Sequence, residues 1–330
     1  MSEHHMTPEA LLELRDLQTH FFTPAGVVKS VDGVSLTVAR GEILGLVGES
    51  GSGKSITGFS ILGLLDAPGR IVGGQILFKG RDLIGLPETQ LRGLRGNRIA
   101  MIFQDPMMTL NPVLSIRTHM VETVRAHENV SKAEALRRSV EALAMVGIPQ
   151  PEKRIDSYPH EFSGGMRQRV AIAIALLHKP DLIIADEPTT ALDVTIQSQI
   201  LAQVQSLCRE LGMGLIWISH DLGVVAGLAD RIAVMYAGRI VEQGTVDQVL
   251  DHPRHPYTRG LTNSAPLAND RGKPLRQIRG SAPPPLARPE GCAFRTRCDF
   301  ATDACGAVPP ETGAGSHRWR CFHPLSETRP

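Results

Sequence analysis

Apolar and polar positions along the chain change period several times, and the changes mark out elements. Residues 11–22 and 34–38 alternate or mass β-forming side chains, and 41–47 is an apolar run that leads into a glycine-rich loop. Residues 53–65 behind that loop have helical spacing, running on to Pro68 and Gly69. Residues 75–78 and 98–103 read as further strands. Residues 131–146 have helical spacing behind Ser131 with Glu134 three positions on, the pattern of a capping box. Beyond Ser163 the order is helix (166–177), apolar strand (182–185), helix (195–211) and strand (214–219), which implies parallel strands joined by crossovers. The expected class is α/β: a parallel-sheet core with a β-rich N-terminal part and a mostly helical middle.

From about residue 270 the texture changes. Prolines interrupt it, and residues 271–330 hold ten Lys or Arg against five Asp or Glu. The expected division is a tail over 1–10, a main domain over 11–268 with a helical subdomain at about 105–165, and an irregular cysteine-containing extension over 269–330. No repeat of about 20–50 residues and no long heptad run is present, so solenoid and rod readings drop out. Across 330 residues, 35 Lys and Arg meet 34 Asp and Glu, a balance of +1 that gives no reason to expect nucleic acid as a partner. Apolar runs such as 170–177 fall short of the roughly 18–20 residues that cross a bilayer, and the first ten residues have no basic-apolar signal pattern. The expectation is a chain made and kept in the cytosol. Cys292, Cys298, Cys305 and Cys321 lie together in the tail, where a reducing compartment favours a ligand cluster over disulfides. Cys208 falls on a predicted helix and reads as buried packing.

Three segments carry chemistry. Gly48, Glu49, Ser50, Gly51, Ser52, Gly53, Lys54 and Ser55 fit G-x-x-x-x-G-K-[ST]. Glycines there let backbone N–H groups turn to phosphate oxygens, Lys54 supplies a point charge, and the Ser55 hydroxyl can ligate Mg²⁺. Residues 181–188 form an apolar strand ending in Asp186 and Glu187. Strand alternation separates their tasks: Asp186 to hold Mg²⁺ through its water shell, Glu187 to orient or deprotonate an attacking water. Phe162 to Arg169 places Ser163, Gly164 and Gly165 at a helix start, a second anion site. A chain with two phosphate-binding helix starts can hold one nucleotide between two copies.

In motif order and spacing, residues from about 12 to 249 resemble an ABC transporter ATPase domain. The resemblance implies that residues 48–55, with the backbone of Ile56, bind the phosphates of ATP. It implies that Ser163, Gly164 and Gly165 reach the γ-phosphate bound by the opposite subunit, that Phe21 (with Phe22 as competitor) stacks on adenine, and that Gln104 joins Ser55 and Asp186 at Mg²⁺. Asp193 is then expected at the dimer interface, and His220 at the γ-phosphate as a catalytic residue beside Glu187 and Lys54. Three positions depart from the family's usual pattern: Phe162 and Met166 flank a signature that commonly reads LSGGQ, and Ile56 stands where threonine is frequent.

Residues 103–112 (FQDPMMTLNP), 255–258 (HPYT) and the tail GCAFRTRC resemble the ATPases of the oligopeptide, dipeptide and nickel importer group. This implies ATP hydrolysis coupled to import, with di- or oligopeptides ahead of nickel, opine or another small solute. The implied partners are two transmembrane permease subunits, a second homologous ATPase or another copy of this chain, and indirectly an extracytoplasmic solute-binding protein. The implied place is the cytoplasmic face of the inner membrane, as a peripheral protein. The spacing C-x5-C-x6-C-x15-C matches no zinc-finger pattern. The resemblance implies a [4Fe–4S] cluster on the four tail cysteines, with zinc (helped by His317 or His323) or unmetallated thiols as alternatives. A soluble ABC ATPase acting on nucleic acid or ribosomes, and an exporter subunit, are the rival readings. One phosphate loop and one signature, without a long coiled coil, weigh against the first, and HPYT with the cysteine tail against the second.

Overall fold

The computed structural model describes residues 10–189, 194–264 and 276–326. Asp193, the expected boundary at 268 and most of the N-terminal tail lie outside them. Backbone contacts divide the described residues into two compact units that interleave in sequence: one comprises residues 10–11, 39–42, 85–189 and 194–216, the other 12–38, 43–84, 217–264 and 276–326.

The second unit is rich in strands. Ala10–Thr23 pairs antiparallel with Gly69–Phe78, from Leu12 opposite Phe78 to Phe21 opposite Gly69. Leu12 and Leu14 are buried in one phase, and Leu17 and Thr19 in the other. A bulge between Arg15 and Gln18 makes that switch, with Asp16 at φ 48°. The second strand begins six residues earlier than its apolar stretch suggests, because Gly69, Gly73 and Gly74 dilute its β signal. Gly69 has a reason to be glycine: a Cβ there would lie 2.6 Å from the Phe21 ring. The helix behind the glycine loop is correspondingly shorter than expected, Lys54–Leu62. Gly63 ends it at φ 62°, with the Leu64 N–H donating to the Phe59 carbonyl, a Schellman closure.

Within the same unit Ile43–Val47 runs parallel to Arg231–Tyr236, which turns back antiparallel into Arg239–Thr245. Sequence periodicity assigns nothing to this last pair: almost every residue of both strands is buried, so no alternation survives to be seen. The C-terminal extension is less irregular than expected. Thr312–Ala314 and His317–Trp319 form a hairpin whose second strand pairs with Arg239–Thr245, Glu242 opposite Trp319. Glu242 is fully buried there, and its carboxylate accepts from the backbone N–H groups of Arg254 and His255 and faces the His317 ring nitrogen at 2.8 Å. Burial lowers the His255 pKa to about 3, so its ring is neutral and its Nδ1 accepts from the Tyr257 N–H. The HPYT segment is thus an anchor for the extension.

The first unit contains the helices Ile116–His127, Lys132–Met145, Gly164–Leu176 and Val194–Leu211 and the parallel pair Ile99–Ile102 and Leu182–Asp186. Ser131 caps its helix by accepting from the Glu134 N–H, but the Glu134 carboxylate bonds Arg137 instead of closing the box. Cys208 is fully buried on the Val194–Leu211 helix, packed as expected.

Candidate functional site

In the strand-rich unit the phosphate loop joins the end of Ile43–Val47 to the start of Lys54–Leu62. Gly53 precedes the helix at φ 108° and, having no side chain, offers no N-cap acceptor; a helix N-terminus following such a loop is an anion site. Lys54 is 5% exposed. Its ammonium donates to the carbonyls of Gly48 (2.8 Å) and Glu49 (3.0 Å) and contacts the Ser52 hydroxyl at 3.5 Å, which holds the side chain's end at the centre of the loop. The loop is tied from outside as well: the Gly238 N–H donates to the Ser52 carbonyl, and the Glu49 N–H to the Tyr257 hydroxyl. Ser55 and Ile56 are half-buried on the first helical turn, while Thr57 is buried and its hydroxyl donates to the Gly53 carbonyl.

Phe21 is half-buried with its ring against Gly69, whereas Phe22 is exposed with the Arg70 guanidinium 4.0 Å above its ring. Arg70 therefore occupies a face of the competitor. His220 is exposed, directly after the strand Gly214–Ser219. Asp221 beside it caps Leu222–Leu228 by accepting from the N–H groups of Gly223 and Val224.

In the helical unit the strand Leu182–Asp186 is buried along its whole length and ends on the carboxylate of Asp186, 5% exposed. Glu187 leaves the strand at φ 44°, a conformation that costs a residue with a Cβ about 1 kcal/mol or more. The two carboxylates are thus separated by a backbone turn as well as by alternation. The Gln104 amide donates to the Glu187 carboxylate at 3.4 Å, so the structure brings these two expected site residues together. Ser163 caps Gly164–Leu176 by accepting from the Met166 N–H, and Ser163 and Gly164 are exposed. Phe162, one of the departures from the usual signature, is 2% exposed and packs inward near Arg154. That substitution belongs to the core and leaves the exposed serine and glycine unchanged.

The four tail cysteines are free thiols, and burial is the largest influence raising the pKa of Cys292, Cys298 and Cys321, the last to about 11. Cys298 and Cys321 each accept a backbone N–H from two residues on, Phe300 and His323. Among the described residues no group of three or more His, Cys, Asp or Glu is arranged to hold a metal ion, so the iron–sulfur expectation finds no support. Nor does zinc: His317 is engaged by Glu242 and His323 by the Thr302 hydroxyl. Two residues that sequence reasoning gave no role at the site touch the phosphate loop directly: Tyr257, within HPYT, and Arg297, within RTRC, whose guanidinium donates to the Glu49 carboxylate at 2.9 Å.

Residues 31–190 match the family model described as ABC transporter, and residues 241–305 match the oligopeptide/dipeptide transporter C-terminal region. The oligopeptide transport ATP-binding protein OppD of Salmonella typhimurium is 49% identical over 318 residues, covering 96% of this chain and 95% of the relative. The dipeptide transport ATP-binding protein DppD of Haemophilus influenzae is 46% identical over 319 residues, covering 96% and 97%. Among solved structures, the dimeric bacterial ABC transporter cassette MJ0796 aligns with a TM-score of 0.64 at 27% identity, over 71% of this chain and 98% of that one. The same cassette in a post-hydrolysis state bound to ADP and Pi gives the same score, identity and coverage. On the phosphate loop, the paired carboxylates, the capped signature helix and these full-length relatives, the chain belongs to the ABC transporter ATP-binding proteins, in the branch that carries the oligopeptide/dipeptide C-terminal region.

Proposed function

We propose that this chain binds and hydrolyses ATP to energise import of di- or oligopeptides through two membrane-spanning permease subunits, working with a second ATPase chain at the cytoplasmic face of the inner membrane. The observation that carries this reading is the similarity to OppD and DppD across nearly the whole length of each protein, C-terminal region included. No helix among the described residues is long and apolar enough to cross a membrane, and this reading assigns the solute's path to the two permeases.

In this reading Gly48 to Ser55, with the Ile56 N–H, bind the ATP phosphates, and Lys54 neutralises phosphate charge. Phe21 is the adenine platform. Ser55, Asp186 and Gln104 offer oxygen donors of the kind Mg²⁺ takes and would hold it in the ATP complex. When bound there, Mg²⁺ would neutralise charge at the transferring phosphoryl group. Glu187, steadied by Gln104, aligns the attacking water and takes up its proton, and His220 contacts the γ-phosphate. Ser163, Gly164 and Gly165 act on the partner's ATP, with Asp193 at the same interface. ATP closes the pair and hydrolysis releases it, and the permeases feel the change through the helices after Gln104.

To test it, the chain is tagged at native expression, extracted from membranes in mild detergent, and its companions identified by mass spectrometry. Two multi-spanning proteins with a second ATPase are expected; ribosomes or nucleic acid would overturn the importer reading. The signature role has its own test. A Cβ on Gly164 meets no atom within 4 Å, so Gly164→Val adds bulk toward solvent only. It is expected to leave ATP binding by the single chain intact and, by obstructing the partner's nucleotide, to lower turnover of the assembled complex about 10-fold or more. Unchanged turnover in a phosphate-release assay would remove Gly164 from the interface.

A further inference from the structure

Arg297 lies between Cys292 and Cys298 at the end of a short 3-10 turn, 248 residues from Glu49, yet it is only 8% exposed. Its guanidinium is fixed on every side. One nitrogen reaches both the Glu49 carboxylate (2.9 Å) and the Tyr236 hydroxyl (3.3 Å); the others donate to the carbonyls of Arg279 (2.8 Å) and Gly280 (3.3 Å). Tyr236 and Phe294 flank it, each ring centre 5.8 Å from the guanidinium carbon. Tyr257, fully buried, packs its ring against Tyr236 at 4.5 Å and accepts the Glu49 N–H. Glu49 is therefore held at both ends, backbone and carboxylate, by residues that follow the last core strands. It is also the second residue of the phosphate loop.

We propose that Arg297 is a positioning residue for nucleotide binding: by holding and neutralising Glu49 it lets the C-terminal extension set the shape and charge of the phosphate loop. The proposal rests on the reading of residues 48–55 as the ATP site. A carboxylate at the second loop position opposes a polyphosphate unless a cation pairs with it, and a buried guanidinium already held by four hydrogen bonds serves that purpose with little freedom to leave. The cysteine segment contributes by fixing the turn that presents Arg297: the Cys292 N–H donates to the Cys305 carbonyl, and Gly291 passes so close to Gly306 that a Cβ would lie 2.4 Å from its carbonyl.

The test is binding of adenylyl imidodiphosphate with Mg²⁺ to the full chain by titration calorimetry, with a thermal melt of each variant. Arg297→Gln is expected to raise Kd about 10-fold, the loss of one charge-assisted hydrogen bond with its acceptor left bare. Glu49→Gln with Arg297→Gln is expected to recover part of that loss, since the stranded charge is gone. A Kd for Arg297→Gln within about 2-fold of wild type, or equal losses with and without Glu49→Gln, would overturn the proposal. If Arg297→Gln does not fold, Arg297→Lys decides: it keeps the charge and loses the fork, and a Kd about 3-fold higher supports the clamp whereas an unchanged one limits Arg297 to packing. Wild-type chain that binds no nucleotide would instead remove the ATP reading itself.

Discussion

Glu187→Gln is expected to lower ATP turnover at least about 100-fold while leaving nucleotide binding intact, the loss typical of a general base. The substitution is nearly isosteric. The new amide oxygen can still accept from Gln104, so the 3.4 Å contact and the turn at φ 44° have no reason to change. What disappears is the negative charge and the basic oxygen, the two properties that align water and take its proton. On the proposed cycle, in which ATP binding closes the pair and hydrolysis opens it, the variant is also expected to accumulate as an ATP-bound closed dimer. Steady-state phosphate release together with light scattering in the presence of ATP checks both. Turnover equal to wild type would take Glu187 out of hydrolysis and leave its left-handed backbone, an expense at the end of a buried strand, without a functional reason.

The phosphate loop, the carboxylate pair and the signature were legible because each is local: the spacing of a few residues between a strand and a helix carries the chemistry. The strand Leu182–Asp186 shows how the same local reading stops short. Five buried residues announce it, but the left-handed turn at Glu187 has no sequence mark, since glutamate is not a residue chosen for that conformation. The glycines at 69, 73 and 74 hid the start of a strand because the chain accepts poor β-formers where a ring and a bulge require close approach. The hairpin Arg231–Tyr236 and Arg239–Thr245 was hidden for the opposite reason, burial on both faces. Least legible was the tail. Four cysteines invited a metal reading from their clustering and from resemblance, while the residue between them that reaches the phosphate loop, Arg297, does so across 248 positions that no periodicity spans.

The rigidity of that loop leads to the second large effect. Gly53 stands at φ 108° and ψ 2° immediately before Lys54, and a Cβ there would lie 2.2 Å from the Ser30 carbonyl oxygen and 2.7 Å from the Met235 side chain. Gly53→Ala therefore meets two separate costs, a disfavoured torsion and a collision with backbone that cannot swing aside. Together they are expected to destabilise the chain by about 3 kcal/mol or more. Relief requires the loop to move away from Ser30, which displaces the Lys54 ammonium and the start of the helix at once, so ATP binding is expected to fall below detection in the same titration. Gly51→Ala separates the two costs. Its glycine has φ 75°, but a Cβ there meets nothing within 4 Å, so it bears the torsional cost alone, about 1 kcal/mol. A melting temperature for Gly53→Ala several degrees below that of Gly51→Ala is the expected result. Equal values would mean that the collision is absorbed by movement of Ser30, that the loop is softer than its ties to Gly238 and Tyr257 imply, and that Glu49 is not held as firmly as the Arg297 clamp requires.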